Sequence, residues 1–340
     1  MREAMLYRRA EGDSVQCFLC RHECRIEEGK RGLCRVRENR RGTLYSIFYG
    51  KPIALSPDPI EKKPLFHFQP GSLSLSLATL GCNFQCEFCQ NWDISQYGRG
   101  EGSRETHGTL EVSPHAVVAE AKQANCRSIS YTYSEPTIFF EYAHDIGLLA
   151  REAGIRNVFV TNGYMTPQAI EACASFLDAA NVDLKAFREE TYKKLIKGNL
   201  EGVLDSIRLL KERGIWLEIT TLIVPGMNDH PDEIQNMARF IAGVDPAIPW
   251  HISRFYPNYR FSDRPMTPLG TLQRAHRTGL EAGLKYVYLG NVPAHEMEST
   301  TCPGCGTCLI ERAGFRILSN RLSPEAACPE CATVLDGVFP

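Results

Sequence analysis

The chain has 340 residues, 43% hydrophobic and 23% charged, enough for a sizeable core in two domains or in one large barrel with attachments. A formal net charge of -2 and a pI near 6.5 argue against bulk electrostatic binding to nucleic acid or to a membrane surface. No apolar run reaches the roughly 18 residues of a bilayer span, and the opening MREAMLYRRAEGDS lacks a signal-peptide core, so the expected location is cytoplasmic. In a reducing compartment the 14 cysteines are poor candidates for disulfides. Eleven of them fall into three clusters, leaving Cys126, Cys173 and Cys308, and clustered thiols point to metal or iron–sulfur ligation.

In chain order, the first cluster is Cys17, Cys20, Cys24 and Cys34, with His22 as a substitute ligand and a flexible connection through Gly29, Lys30, Arg31 and Gly32. Its spacing suits either zinc or a second iron–sulfur cluster. TLYSIFY (43–49) reads as a strand, and KPLFHF (63–68) and SLSLSLAT (72–79) bracket the turn Gln69-Pro70-Gly71-Ser72, which predicts a hairpin. Strand-like runs then recur at 73–79, 128–133, 157–161, 181–185, 216–224, 250–255 and 286–289. Between them, Ser113-Pro114, Thr166-Pro167 and Thr267-Pro268 each set a capping hydroxyl before a proline, and Pro231 with Asp232 and Glu233 marks a further helix start. This alternation predicts an α/β fold with a parallel sheet, a partial or full βα barrel ending near Asn291. VPAHEMEST (292–300) reads as a linker. The expected organisation is a Cys-rich segment over 1–60, the barrel over 61–292 and a four-cysteine metal ribbon over 293–340.

The other two clusters differ in kind. Cys302, Cys305, Cys328 and Cys331 form two CPxC knuckles separated by 22 residues, a closed four-thiolate set suited to structural zinc. FRIL and TVLDGVF read as strands of that ribbon, and Cys308 is a spare thiol or an alternative ligand. The central cluster, GCNFQCEFCQNW, has only Cys82, Cys86 and Cys89. A tetrahedral zinc needs a fourth ligand, and none stands nearby; a cubane with one iron left open accounts for the deficit. These thiols follow an alternating strand, where barrel active sites lie.

The CxxxCxxC pattern, with Phe88 just before the last cysteine, resembles the radical S-adenosylmethionine superfamily. The resemblance implies a [4Fe–4S] cluster on Cys82, Cys86 and Cys89, S-adenosylmethionine as cofactor, a partial (β/α)6 TIM-like barrel, and later strand ends that hold the cofactor. In YTYSEPT, Ser134 and Glu135 stand where the superfamily has a Gly-Gly-Glu-like stretch, with Tyr133-Ser134 in place of the two glycines; Glu135 also reads as a helix cap. TNG, with Thr161 and Asn162, and DLK, with Asp183 and Lys185, resemble strand tips that flank the cofactor in glycyl-radical-enzyme activases. Asp183 and Lys185 share a strand face and read equally as an ion pair. His251 reads as a ribose contact or a core residue, Arg254 as an alternative anion anchor, and Phe88 as an adenine contact through its backbone. LIVPGMNDHPDE resembles a PG-x-ND loop in which Asn228 and Asp229 are read as helix caps. Together with the N-terminal cysteines, DPIEKKPLFHF and the closing knuckles, these pieces resemble the radical enzyme of the AmmeMemoRadiSam group, itself similar to pyruvate formate-lyase activating enzymes. That implies a protein or peptide substrate, Memo-like or AMMECR-type partners, and a reducing partner such as flavodoxin or ferredoxin. A radical enzyme acting on a small molecule and a non-catalytic zinc-binding scaffold are the alternatives.

Overall fold

Residues 1–100, 110–292 and 296–339 are described by a computed structural model, whose centre is an eight-stranded sheet in sequential order. Its strands are β1 (Ala54–Pro59), β2 (Leu73–Ala78), β3 (Ser128–Tyr131), β4 (Arg156–Thr161), β5 (Ala179–Asp183), β6 (Trp216–Ile223), β7 (Trp250–Arg254) and β8 (Val287–Gly290). From β2 to β8 all neighbours pair in parallel, and β1 runs antiparallel to β2. The connecting helices are α1 (Pro114–Gln123), α2 (Phe140–Glu152), α3 (Pro167–Cys173), α4 (Leu200–Glu212), α5 (Pro231–Val244) and α6 (Leu269–Glu281). This is the partial (β/α)6 barrel. Among the described residues β8 does not pair with β1, so the barrel is open on one side. Strands of a parallel sheet are covered on both faces, and the buried serines of LSLSLA find partners on neighbouring strands: Ser74 Oγ lies 2.6 Å from Ser130 Oγ, and Ser76 donates to Asp58 at 2.7 Å.

Two helix starts follow the expected chemistry. Ser113 and Thr166 accept from the amides of Ala116 and Ala169, each at 3.2 Å. Thr267 does not cap α6; its hydroxyl instead donates to the Ile223 carbonyl at 2.6 Å and accepts from the Phe255 amide at 2.9 Å, tying the ends of β6 and β7. Asn228 and Asp229 do not cap α5 either. His230 is the capping residue there, while Asn228 bonds the Val224 amide and the carbonyls of Lys185 and Leu222.

The expected hairpin is built differently. The partner of β2 is β1, not KPLFHF. The segment 63–68 carries Pro64, and the amides of Phe66 and His67 go to the buried carboxylate of Glu218, at 2.9 and 2.8 Å, rather than to a ladder. β1 itself contains Pro57 and Pro59, which only an edge strand tolerates.

The N-terminal residues form two small antiparallel sheets, one of Arg2–Glu3, Thr43–Ser46 and Arg37–Arg40, the other of Tyr7–Arg9, Val15–Cys17 and Arg25–Ile26. A buried ion pair, Arg37 Nη2 to Glu141 Oε1 at 2.8 Å, fixes this layer to the first turn of α2. The C-terminal ribbon has strands Thr300–Thr301, Cys308–Ala313 and Arg316–Asn320. TVLDGVF forms no strand in it, only single bridges from Val334 to Ala327 and from Val338 to Phe68. Part of the expected linker, 293–295, lies outside the described residues. No described helix is long and apolar enough to cross a membrane.

Candidate active site

At the C-terminal ends of the parallel strands lies a cavity of about 650 Å³. The loop after β2 carries Cys82, Cys86 and Cys89 to its wall. Local hydrogen bonds set the sulfurs: the Phe84 amide donates to Cys82 Sγ at 3.3 Å, and Ser95 Oγ lies 3.2 Å from Cys89 Sγ. The loop's backbone is pinned from outside by the carbonyls of Ile196 and Leu195, which accept from the Gln85 and Glu87 amides. Burial raises the thiols of all three cysteines, Cys86 up to about 12 and Cys82 well above its ordinary value, while the Lys185 ammonium opposes the shift at Cys86 and Cys89.

These three sulfurs are not spaced for one ion. Among the described residues, the set of three or more Cys, His, Asp or Glu donors lying within 4.8 Å of one another is the C-terminal quartet. Three wider-set thiols with no fourth donor beside them among the described residues fit a cubane that keeps one iron open. The cavity also holds buried hydroxyls with no partner, Ser134 Oγ and Thr220 Oγ1, as expected where a polar ligand docks.

Most of the expected cofactor contacts come together here, with different tasks. Glu135 is 3% exposed. Its Oε1 accepts from Thr161 Oγ1 at 2.6 Å and from the Thr137 amide and hydroxyl, and its Oε2 accepts from the Asn162 amide at 2.8 Å. It therefore caps the turn leading into α2 and joins the tips of β3 and β4, leaving Oε2 room for one more donor from the cavity. Thr161 stands behind it and does not line the cavity. Asn162 does, and its amide nitrogen reaches Asn83 Oδ1 at 2.7 Å and Cys82 Sγ at 3.8 Å. Asp183 and Lys185 both line the cavity and are paired at 2.9 Å. Burial disfavours the Lys185 ammonium, but the charge and hydrogen bond of Asp183, together with negative charge on the Cys86 and Cys89 sulfurs once these are deprotonated, hold it above its ordinary value. Phe88 is buried in the wall beside Phe261, ring centroids 6.0 Å apart.

His251 faces the cavity, but its Nε2 is 2.6 Å from Glu218 Oε2. That nitrogen is committed to protein. Burial pushes Glu218 up, yet the bond and charge of His251 and the neighbouring His67 outweigh it and leave the carboxyl below its ordinary value. Arg254 lies outside the cavity lining, and its Nε donates to the Thr267 carbonyl at 2.8 Å. Sequence reasoning missed Asn91, Ser95 and Thr220, which line the cavity. Asn91, two residues past the last cysteine of the motif, holds the Tyr133 carbonyl at 2.9 Å; its place in QNW was the available signal.

The C-terminal quartet has zinc geometry. Cys302 and Cys331 sulfurs lie 3.5 Å apart and those of Cys305 and Cys328 3.7 Å apart, near the roughly 3.8 Å that four bonds of about 2.3 Å to a tetrahedral ion require. Hydrogen bonds from Thr333 and the neighbouring thiols bring Cys331 down to about 6, toward the thiolate a metal needs. Cys308 sits in a ribbon strand outside this set and is not an alternative ligand. The N-terminal cysteines line a separate small pocket with His22, whose Nε2 lies 2.8 Å from the Asn83 carbonyl oxygen and is not free to ligate.

A partial βα barrel with a three-cysteine loop after its first parallel strand is the architecture of radical S-adenosylmethionine enzymes. Residues 76–241 match the Radical SAM superfamily, and the chain belongs to it. Membership brings a [4Fe–4S] cluster and S-adenosylmethionine as cofactors. The chain is 45% identical to an uncharacterized protein of Methanocaldococcus jannaschii over 100% of both chains. It is 22% identical to a pyruvate formate-lyase-activating enzyme of Clostridium pasteurianum, over 48% of this chain and 67% of that one. Its fold is similar to that of Streptococcus suis SuiB bound to S-adenosylmethionine, with a TM-score of 0.50 and 14% identity over 68% of this chain and 53% of that one.

Proposed function

We propose that the chain cleaves S-adenosylmethionine reductively and uses the resulting radical to take a hydrogen atom from a protein or peptide, as an activating enzyme does. The observation that carries this reading is the three-sulfur set on the wall of a large cavity whose buried hydroxyls lack partners. The relative named for activating pyruvate formate-lyase supports the choice of a macromolecular substrate.

In this reading Cys82, Cys86 and Cys89 would hold a [4Fe–4S] cluster with one iron free of protein ligands. When bound, the cluster would supply the electron for reductive cleavage of S-adenosylmethionine. Lys185 sets a positive charge where a carboxylate docks, and Asp183 orients it. Glu135 Oε2 and Ser134 Oγ offer acceptors to the ammonium and ribose side. Asn162 steadies the Cys82 loop. The buried wall around Phe88 keeps water from the radical.

Memo-like and AMMECR-type proteins are the first partners to test, with reduced flavodoxin or ferredoxin as electron donor. Anaerobically loaded protein should form 5′-deoxyadenosine, and Cys82→Ala, Cys86→Ala and Cys89→Ala should each abolish it. Cleavage retained in any of the three overturns the site. With a deuterated protein partner, label should enter 5′-deoxyadenosine; label from a metabolite alone overturns the macromolecular substrate.

A further inference from the structure

The N-terminal cysteines have no task in the chemistry above. Cys17, Cys20, Cys24 and Cys34 surround one pocket, walled otherwise by apolar side chains such as Leu19, Ile26 and Ile138. Gly32 keeps the space in front of two sulfurs clear, since a Cβ there would stand 3.8 Å from Cys24 Sγ and 3.7 Å from Cys34 Sγ. The sulfurs do not converge as the zinc-type quartet does. No three of them, with or without His22, fall among the described donor sets lying within 4.8 Å of one another. A single tetrahedral ion with bonds of about 2.3 Å would draw its four sulfurs closer than that; a cubane hangs each on a different iron and holds them farther apart. The second observation is Arg37. It lines the same pocket, is 2% exposed, and its Nε and Nη1 have no partner. Idle N–H groups on a buried cation beside four thiols suit an anionic cluster whose sulfurs accept hydrogen bonds.

The two cysteine loops also touch. His22 Nε2 lies 2.8 Å from the carbonyl oxygen of Asn83, the residue after Cys82. The guanidinium of Arg99 donates to the Leu33 carbonyl, beside Cys34, and to the Cys82 carbonyl at 2.9 Å. At Gly81, with φ of 98°, a Cβ would stand 3.0 Å from the Cys34 carbonyl oxygen, so the backbones meet without an intervening side chain.

We propose that Cys17, Cys20, Cys24 and Cys34 hold a second [4Fe–4S] cluster that relays electrons to the central one. The relay, though not the second cluster itself, rests on the activity proposed for the central site. A one-electron protein carrier reduces the N-terminal cluster by one electron. That electron passes to the central cluster through the Leu33–Arg99–Cys82 contact, and the N-terminal cluster returns to its oxidised state with no proton or group moved.

The test uses the full chain, reconstituted anaerobically with iron and sulfide. About eight irons are expected, with zinc only at the C-terminal quartet, and Cys20→Ser/Cys24→Ser should lose about four irons and no zinc. Four irons with two zincs in the unaltered protein overturns the second cluster. Since the variant can misfold, the unaltered protein is also read by electron paramagnetic resonance: two reduced signals are expected, one of which shifts with S-adenosylmethionine. A single signal that shifts overturns the second cluster. For the relay, cleavage in the double variant driven by reduced flavodoxin should fall at least about tenfold relative to cleavage driven by dithionite; an equal fall overturns it. Two signals that both ignore S-adenosylmethionine would sink the central activity and the relay, but keep the second cluster.

Discussion

Asn162 shows how a side chain at a strand tip can act on chemistry through a ligand. Its amide reaches both Cys82 Sγ and Asn83 Oδ1, and its own backbone amide is held by Glu135. Partners that orient a metal ligand are typically worth about 10–100-fold in affinity or activity. Asn162→Ala is therefore expected to lower 5′-deoxyadenosine formation by about 10–100-fold while iron content stays near normal; full loss of iron would instead make Asn162 a structural residue. The raised thiols carry a pH consequence. A thiol held above its ordinary value is neutral near pH 7 and must release its proton to bind iron. Iron uptake by the metal-free chain should then go on rising past about pH 9, where an ordinary thiol levels off, and a plateau of initial rates there would contradict the burial argument. At this scale the sequence shows ligand types well and compensations poorly. Tyr133 takes a φ of 64°, the conformation a glycine would supply, and what holds it there is remote: its hydroxyl bonds Asp58, and Lys63 Nζ lies 4.6 Å from its ring centre. Asp58 and Lys63 are far back in the chain, so no local pattern announces that support.

Elements were legible where one period governs them. Each of the seven parallel strands lies within or against a run picked out by apolar patterning, and Ser113-Pro114 and Thr166-Pro167 start helices as their capping chemistry requires. What was hidden is tertiary. β1 is disguised by its prolines, and KPLFHF reads as a strand although its amides serve Glu218. The N-terminal layer is joined to α2 by Arg37 and Glu141, 104 residues apart and each 2% exposed. Removing one member of a buried pair strands the other charge and costs about 3–5 kcal/mol, whereas an apolar pair of similar size is close to neutral. Glu141→Ala should lower stability by about 3–5 kcal/mol in urea unfolding, with Arg37→Met/Glu141→Leu recovering most of it. A loss below about 1 kcal/mol would mean that water reaches the pair.

Across the whole molecule, the open side of the barrel is where the C-terminal ribbon docks. Arg312, buried in the ribbon, donates to the Phe66 carbonyl at 2.9 Å and lies 4.2 Å over the Phe66 ring. His67 binds the Asp336 carbonyl through Nδ1 at 2.7 Å and the Tyr288 hydroxyl through Nε2 at 2.6 Å. The ribbon therefore rests on the 63–68 segment and on β8 with the residues just before it, and its turn residues Gly314 and Phe315 line the cavity. Phe315 is nonetheless 50% exposed, an apolar side chain at the cavity's edge. The ribbon's own core is small, built on Cys302, Leu309, Cys328 and Leu335 with Leu322 and Phe339 against it, the setting in which a bound metal adds to folding stability. Removing the metal that this quartet is built to hold should thus loosen the cavity's edge while leaving the sulfurs on the β2 loop in place. In Cys305→Ala/Cys331→Ala, iron at the central site should be kept and 5′-deoxyadenosine should still form. Label transfer from a deuterated protein partner should fall by about tenfold or more, since the surface that positions the reacting hydrogen is gone. Parallel loss of both readouts would assign the ribbon to barrel stability, and unchanged transfer would remove it from substrate positioning.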